Sequence, residues 1–496
     1  MTNLQHRQEK IQEKRKQTPW RNFLMEIASW YTINLNKNSN MVSRYPSNDR
    51  MGSIISKTEY ESNGDQMNII NLDKGLGFFE QLYTLRKIFK HPNILTFANN
   101  ESSDYSDVVF GAKNAYLSFT IGGNSENIFY STICYINCRN ILNSVRVTDH
   151  SENVYYSKVV TKSFNVFYSR YIDNSSDIRF SSNLIGCSNC IGCDSLINQS
   201  YCINNQTVGK ERYEQEKSKI LAQKDSFDKL FQSVNNKALN YQSENSTGVG
   251  ISYLSNIQNG FYVKRASEGH NMIFVDGIDH ADHYYDVFEA GVNSDHFYGV
   301  SNAGTNSDHL YCCTQMESSS NMFYCYHMEN CSFCLGCIGL KNKSYCILNK
   351  QYTKEERYEK VDDIFTQMEK DGQLGEFFPA TMNPFYFNDT AAYLIDPSFT
   401  KEEVTAKGYL RRDEPIKVDI PEGMEVVKTN ELGGYEGYDT EGNRSINADI
   451  LKKVIQDEQG NVYRIIPMEY KFLVKHGLSL PRKHWLERMK ENFRIN

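Results

Sequence analysis

Apolar residues along this chain recur at neither the helical nor the strand period. The segment N-I-F-Y-S (127–131) returns as N-I-L-N-S (140–144), N-V-Y-Y-S (153–157), N-V-F-Y-S (165–169) and D-I-R-F-S (177–181). The apolar anchors are Ala115, Ile128, Ile141, Val154, Val166, Ile178, Cys190 and Cys202, spaced by 12 or 13 residues. Three residues before the anchors stand Ser125, Cys138, Ser151, Ser163, Ser175 and Cys187. Three after stand Ser118, Ser131, Ser144, Ser157, Ser169, Ser181 and Cys193, and six after stand Ile121, Cys134, Val147, Val160, Ile172, Leu184, Leu196 and Val208. Each unit thus offers four inward positions at a spacing of three, two small and two apolar. An amphipathic helix or an alternating strand gives a different pattern. A narrow coil that stacks each residue on its equivalent one turn up gives this one.

A second copy follows, with anchors Phe261, Met272, Tyr284, Phe297, Leu310, Met322, Cys334 and Cys346. The copies end alike: residues 187–205 (C-S-N-C-I-G-C-D-S-L-I-N-Q-S-Y-C-I-N-N) match 331–349 (C-S-F-C-L-G-C-I-G-L-K-N-K-S-Y-C-I-L-N). Each end leads into a charged helix, from Lys210 and from Lys354, and Thr353 with Glu356 predicts a capping box for the second. The predicted fold is therefore mainly β: two tandem β-solenoids of 12–13-residue repeats, each capped by a C-terminal helix, with small α+β flanking modules. The boundaries are a basic N-terminal segment and α+β module (1–100), solenoid copy 1 (101–208), helix and linker (209–245), solenoid copy 2 (246–352), helix (353–375), linker region (376–447) and a small basic module (448–496). One repeat per turn would resemble the tight coils of beetle antifreeze proteins; two would make a wider parallel β-helix. The sequence leaves both open.

Composition narrows the function classes. Of 496 residues, 40% are apolar and 13% aromatic, enough for a packed core and against wholesale disorder. A net charge of −7 argues against a chain that binds nucleic acid throughout. The charge is uneven, however: His6, Arg7, Lys10, Lys14, Arg15, Lys16 and Arg21 crowd the start. Arg464, Lys471, Lys475, Arg482, Lys483 and Arg488 near the end are candidates for phosphate contacts. No stretch approaches the roughly 18 apolar residues of a membrane span. Without a signal-peptide pattern, the 13 cysteines read as reduced thiols of a cytoplasmic protein.

Three features carry candidate chemistry. Cys187, Cys190, Cys193 and Cys202, and their counterparts Cys331, Cys334, Cys337 and Cys346, have the number and type of ligands for zinc or an iron–sulfur cluster. They also fall on the Ser and Ile/Val columns of earlier coils, where a small buried residue suffices, and that packing reading is favoured. His283, His296 and His309 recur every 13 residues and would stack as a second metal row. The first copy has Asn127, Asn140, Asn153 and Asn165 at that place, so a polar ladder is favoured there too. Tyr130, Tyr156, Tyr168, Tyr285 and Tyr298 form an outward aromatic stripe that needs covering, by the chain itself or by a partner. No GxGxxG, P-loop, HExxH or GxSxG element is present, and no enzyme is expected.

The stretches W-R-N-F (20–23), M-V-S-R-Y-P-S-N-D-R (41–50), G-F-F-E-Q-L (77–82), N-N-E-S-S-D-Y-S-D (99–107), N-P-F-Y-F-N-D (383–389), R-I-I-P-M-E-Y-K-F-L (464–473) and L-P-R-K-H (480–484) span most of the chain. With the Cys-rich repeat ends, they resemble an uncharacterised family of candidate-phyla bacteria whose members often carry the label CaiB/BaiF family. That label implies CoA transfer, for which no residue pattern here speaks. The resemblance also implies zinc-ribbon-like flanking modules. This chain departs from that, having no cysteine before Cys134 or after Cys346, so a ribbon-like module at 448–496 would be metal-free. The expected function is a non-enzymatic scaffold without a cofactor. It would bind a protein partner or itself, with nucleic acid touched through the ends. The alternatives are a structural or attachment component of a virion or surface structure, and a zinc-binding or carbohydrate-active β-helix.

Overall fold

The computed structural model describes residues 2–38, 41–62, 68–97, 99–222, 227–235, 270, 314–317, 319–413, 420, 422–440 and 444–494. The chain divides into two compact units, Met1–Ile94 with Leu239–Arg412, and Leu95–Ala238 with Asp413–Asn496.

In the second of these units, residues 105–203 wind into a parallel β-solenoid of about eight turns. Each regular turn contains two four-residue strands, such as Glu126–Phe129 and Thr132–Tyr135. The first strands stack Ile128 on Ile141, Val154, Val166, Ile178, Cys190 and Cys202. The second strands stack Cys134 on Val147, Val160, Ile172, Leu184 and Leu196. One sequence repeat is therefore one turn, and the narrower of the two coil widths is the observed one.

The spacing of three has a backbone cause. Asn127, Tyr130 and Ile133 have φ of 60°, 51° and 59°, and every later turn repeats the pattern. Each of these left-handed residues directs the next side chain inward, onto Ile128, Ser131 and Cys134. For an L-residue the conformation costs roughly 1–2 kcal/mol, and for β-branched Ile133 it is a true outlier. Stacking offsets the strain. The inward columns merge into one core cluster running from Val109 to Cys202.

Ladders of polar side chains satisfy the corners. Ser118 Oγ accepts from the Ser131 amide at 3.2 Å, and Ser131, Ser144, Ser157, Ser169 and Ser181 repeat the bond to the next turn at 3.0–3.2 Å. Each hydroxyl also donates to the carbonyl two residues back, as Ser131 does to Phe129 at 2.9 Å. A small hydroxyl column is thus what a buried corner needs, because an unpaired amide there would cost about 1–3 kcal/mol. Outside, Asn114, Asn127, Asn140, Asn153 and Asn165 each donate to the next member, ending on Asp177, at 2.9–3.1 Å. Asparagine suits that column twice over, tolerating the left-handed backbone and bonding along the stack.

The columns end where the backbone turns back. Gln206–Thr207 pairs antiparallel with Ser200–Ile203, so Val208 has left the coil and Leu196 is only half-buried. The Lys210–Leu221 helix follows, burying Tyr213 alone.

In the other unit, parallel bridges 12 residues apart join Ser320 to Ser332, Phe323 to Leu335, Tyr326 to Ile338, Ser332 to Ser344 and Leu335 to Ile347. The earlier turns of the second copy, with anchors Phe261 to Leu310, lie outside the described residues. The Lys354–Lys370 helix begins with the predicted capping box: Thr353 Oγ1 accepts from the Glu356 amide at 3.2 Å, and Glu356 Oε2 accepts from the Thr353 amide at 3.0 Å. The 41–50 and 383–389 motifs meet here. Tyr45 stacks on Phe385 at 5.7 Å, and Arg50 donates to the carbonyls of Ala380, Asn383 and Gly408 at 2.8–3.0 Å. These motifs therefore clasp one another within the fold.

Candidate functional site

The outward aromatic column of the solenoid is covered by its own unit. Tyr130, Tyr156 and Tyr168 are 2%, 2% and 1% exposed. Tyr130 stacks on Trp485 at 5.5 Å, Tyr156 meets Phe231 at 4.9 Å, and Tyr168 meets Phe227 at 5.5 Å. The covering rings come from the Phe227–Ser233 and Trp485–Phe493 helices. Of the two covers that the sequence left open for the stripe, the chain itself or a partner, the chain's own helices supply the one over these three tyrosines, whose rings are buried against them. Tyr285 and Tyr298 lie outside the described residues.

The basic ends are also largely occupied. Arg7 pairs with Asp362, Lys10 with Glu369, Lys14 with Glu376 at 2.5 Å, and Arg15 with Glu26 at 2.9 Å. Arg21 reaches Glu403 at 2.5 Å and Asp396 at 3.0 Å. Near the other end, Arg488 is buried and bonds Glu469 at 2.8 Å and Tyr155 Oη at 3.4 Å. Burial alone would lower its guanidinium; Glu469 and Tyr155 outweigh that and hold it above the ordinary value. Arg488 is therefore a strut between the C-terminal module and the solenoid, out of reach of a phosphate. Lys483 pairs with Glu491 at 2.5 Å, and Arg482 donates to the Thr429 carbonyl at 2.8 Å. Arg464 donates to the Leu451 carbonyl at 2.9 Å, and Lys471 and Lys475 are exposed.

Cys187, Cys190, Cys193 and Cys202 occupy the inward columns and are buried, as are Cys331, Cys334, Cys337 and Cys346. Cys193 and Cys337 take the serine role: their sulfurs accept from the amides of Asn205 and Asn349, each at 3.4 Å. Within the coil of Cys187, hydrogen bonding from Cys190 pulls the Cys187 thiol down to about 6, and the same bonds hold Cys190 far up. Among the described residues, no three His, Cys, Asp or Glu side chains are grouped as metal ligands. His283, His296 and His309 lie outside the described residues.

The last turn of copy 1 holds features that motif reading missed. A cavity of about 510 Å³ opens there, between the coil corners at Phe180, Gly192 and Asn204 and the side chains of Ile220, Leu230 and Val234. Asp194 stands at its wall, accepting from Ser182 Oγ at 2.6 Å, Asn183 at 2.9 Å and Asn235 at 3.1 Å. Burial pushes its carboxyl up, but these neutral donors outweigh that and leave it below the ordinary carboxylate value. No described cation pairs with it. Asn205 closes the strand edge: its side-chain oxygen accepts from the Asp194 amide at 2.8 Å, and its nitrogen donates to the Asp194 carbonyl at 2.9 Å. Asn349 does the same to Ile338, at 2.8 and 2.9 Å. The shared asparagine ending both matched blocks was the signal for this device.

Among the described residues, no helix is long and apolar enough to cross a membrane. Compared with known proteins, the chain matches no family model, no curated protein and no solved structure, so the resemblance of its motifs rests on those motifs alone.

Proposed function

We propose that the chain is a non-enzymatic scaffold that holds a protein partner on rigid solenoid surfaces, in a reducing cytoplasm and without a cofactor. The observation that carries this reading is the unbroken pair of Ser and Asn ladders, which fixes the backbone turn by turn. Such a rod supplies what a scaffold needs, a surface whose spacing does not change on binding. In this reading residues 246–352 form a second solenoid, and the Lys210–Leu221 and Lys354–Lys370 helices cap the two ends, where open strand edges would otherwise recruit other chains. The matched 12-residue bridges and the Asn205 and Asn349 devices support the duplication. The buried cysteines then serve packing.

The test is crosslinking in the native cells, followed by mapping of crosslinks on exposed solenoid lysines such as Lys113 and Lys162. The scaffold reading expects a recurrent protein partner at these positions. A chain recovered alone, at low and high salt, contradicts it.

A further inference from the structure

The Thr2–Lys16 helix is seated by charge where a packed helix is seated by apolar burial. Its described buried residues are Arg7, Ile11 and Arg15, four residues apart, so two of the three on that stripe are cations. A helix that packs by burial places apolar residues there. The seat is polar to match. Arg7 bonds the Asp362 carboxylate, the Asp362 carbonyl at 3.0 Å and Thr366 Oγ1 at 2.7 Å, and lies 3.7 Å from Glu369. Lys10 pairs with Glu369 and Lys14 with Glu376, and Lys14 also donates to the Leu374 carbonyl at 3.2 Å. Gly375 lets the two backbones approach: a Cβ there would lie 3.3 Å from Ile11 Cα. The acid side chains face water, Asp362, Glu369 and Glu376 being 43%, 37% and 46% exposed. Ion pairs of that exposure are individually weak and are screened by salt.

The C-terminal end of the helix is held differently. Arg15 is 1% exposed and pairs with Glu26 at 2.9 Å. Glu26 closes the Trp20–Glu26 helix, whose Phe23 and Leu24 are fully buried. Pro19 stands at the N-cap of that helix and breaks the chain into two helices, because the residue before a proline is steered out of the helical region. His270 Nε2 donates to the Thr18 carbonyl at 2.9 Å and anchors the chain at the break.

We infer that the Thr2–Lys16 helix is a strap that swings on Arg15, closed by charge at low ionic strength and opened by salt while the rest of its unit stays folded. Closed, it withholds the cations of Arg7, Lys10 and Lys14 and the acids beneath them from other molecules. Open, it presents both. The strap goes beyond the scaffold reading and does not depend on it.

The test is hydrogen exchange on the full chain in about 0.1 M and about 1 M sodium chloride, between which the screening length falls from about 10 Å to about 3 Å. Undocked, a helix this short is marginal in water, so its amides report release. Protection at residues 6–12 is expected to fall about tenfold, while that at 23–25 and 361–368 stays within about twofold. Lys10 is exposed, so Lys10→Glu leaves the fold intact. It sets a carboxylate against Glu369 and is expected to lower protection at 6–12 already in the dilute salt, with a smaller further fall at the higher concentration. Protection at 6–12 that salt leaves unchanged overturns the proposal. So does an equal fall at 23–25 and 361–368, or a Lys10→Glu chain that behaves as the parent.

Discussion

Residues 187–205 and 331–349 are matching sequence blocks, and their backbones end in the same way. Each closes with a two-stranded turn, at Gln206–Thr207 and at Lys350–Gln351, and each uses an asparagine amide in place of a further strand. Their surroundings diverge. Gly336, Gly339, Leu348 and Asn349 are buried, with Phe78 and Phe89 over the two glycines. Gly192, Ser195, Asn204 and Asn205 are exposed, and nearby Ile197 is 50% exposed. The coil itself is therefore set by residues within about one turn of each other. What lies on its sides is set by distant segments, and the two copies have acquired different ones.

The largest effect is expected where both copies obey the same rule. Val166 sits at 0% exposure in the inward column. Val166→Asp would bury a carboxylate without a partner and is expected to cost about 5 kcal/mol or more, enough to abolish the folding transition. Lys210→Ala, on an exposed helix, serves as the control and should leave the melting curve in place. An unchanged melt for Val166→Asp would show that the column points outward.

Next comes the cover that distinguishes the copies. Phe78→Ala should cost about 3–5 kcal/mol, since a buried ring leaves a cavity over Gly336. Local protection at 334–349 should fall while that at 190–205 stays as it was; equal loss at both would dissolve the distinction. The asparagine devices give a smaller and sharper test. Asn349→Ala strips a buried N–H and C=O of their partners and should cost about 2 kcal/mol. Asn205→Ala makes the same deletion in contact with water and should cost less than about 1 kcal/mol. Denaturant melts of the two variants that coincide would mean that the cover contributes nothing.

Acid should act on the unit that carries the second repeat end. Burial pushes His91 down to about 3 and His327 well below the ordinary histidine value. His91 Nε2 donates to the Arg86 carbonyl at 3.1 Å, and its Nδ1 has no partner, so the ring is neutral when folded. Between about 3 and 6.5 the unfolded chain binds a proton at this residue that the folded chain does not. The stability contribution is present above about 6.5 and is lost as the pH falls, by about 1.4 kcal/mol per pH unit. Replacing His91 with glutamine should flatten that acid slope in a pH series of melts by about one proton. An unaltered slope would assign the acid response to other groups.

The inward columns were legible because one turn is one repeat. Val154 on Val166 and Ser157 on Ser169 are near neighbours in sequence as well as in space. The Asn ladder and the packing role of the cysteines followed from the same register. The cover was illegible for the opposite reason. Tyr130 is shielded by Trp485 and Arg7 is neutralised by Asp362, partners more than 350 residues away that leave no periodic mark. The aromatic stripe showed that a cover was required and could not say which segment supplied it.

The most direct test of the account is native-state amide hydrogen exchange, resolved for Asp194–Asn205 and for Ile338–Asn349 in the same sample. Equivalent closing turns, equivalent asparagine devices and unequal cover predict slow exchange at Ile338, Gly339 and Leu340 and much faster exchange at Asp194, Ser195 and Leu196. Equal protection at the two ends, or greater protection at Asp194–Asn205, would contradict it.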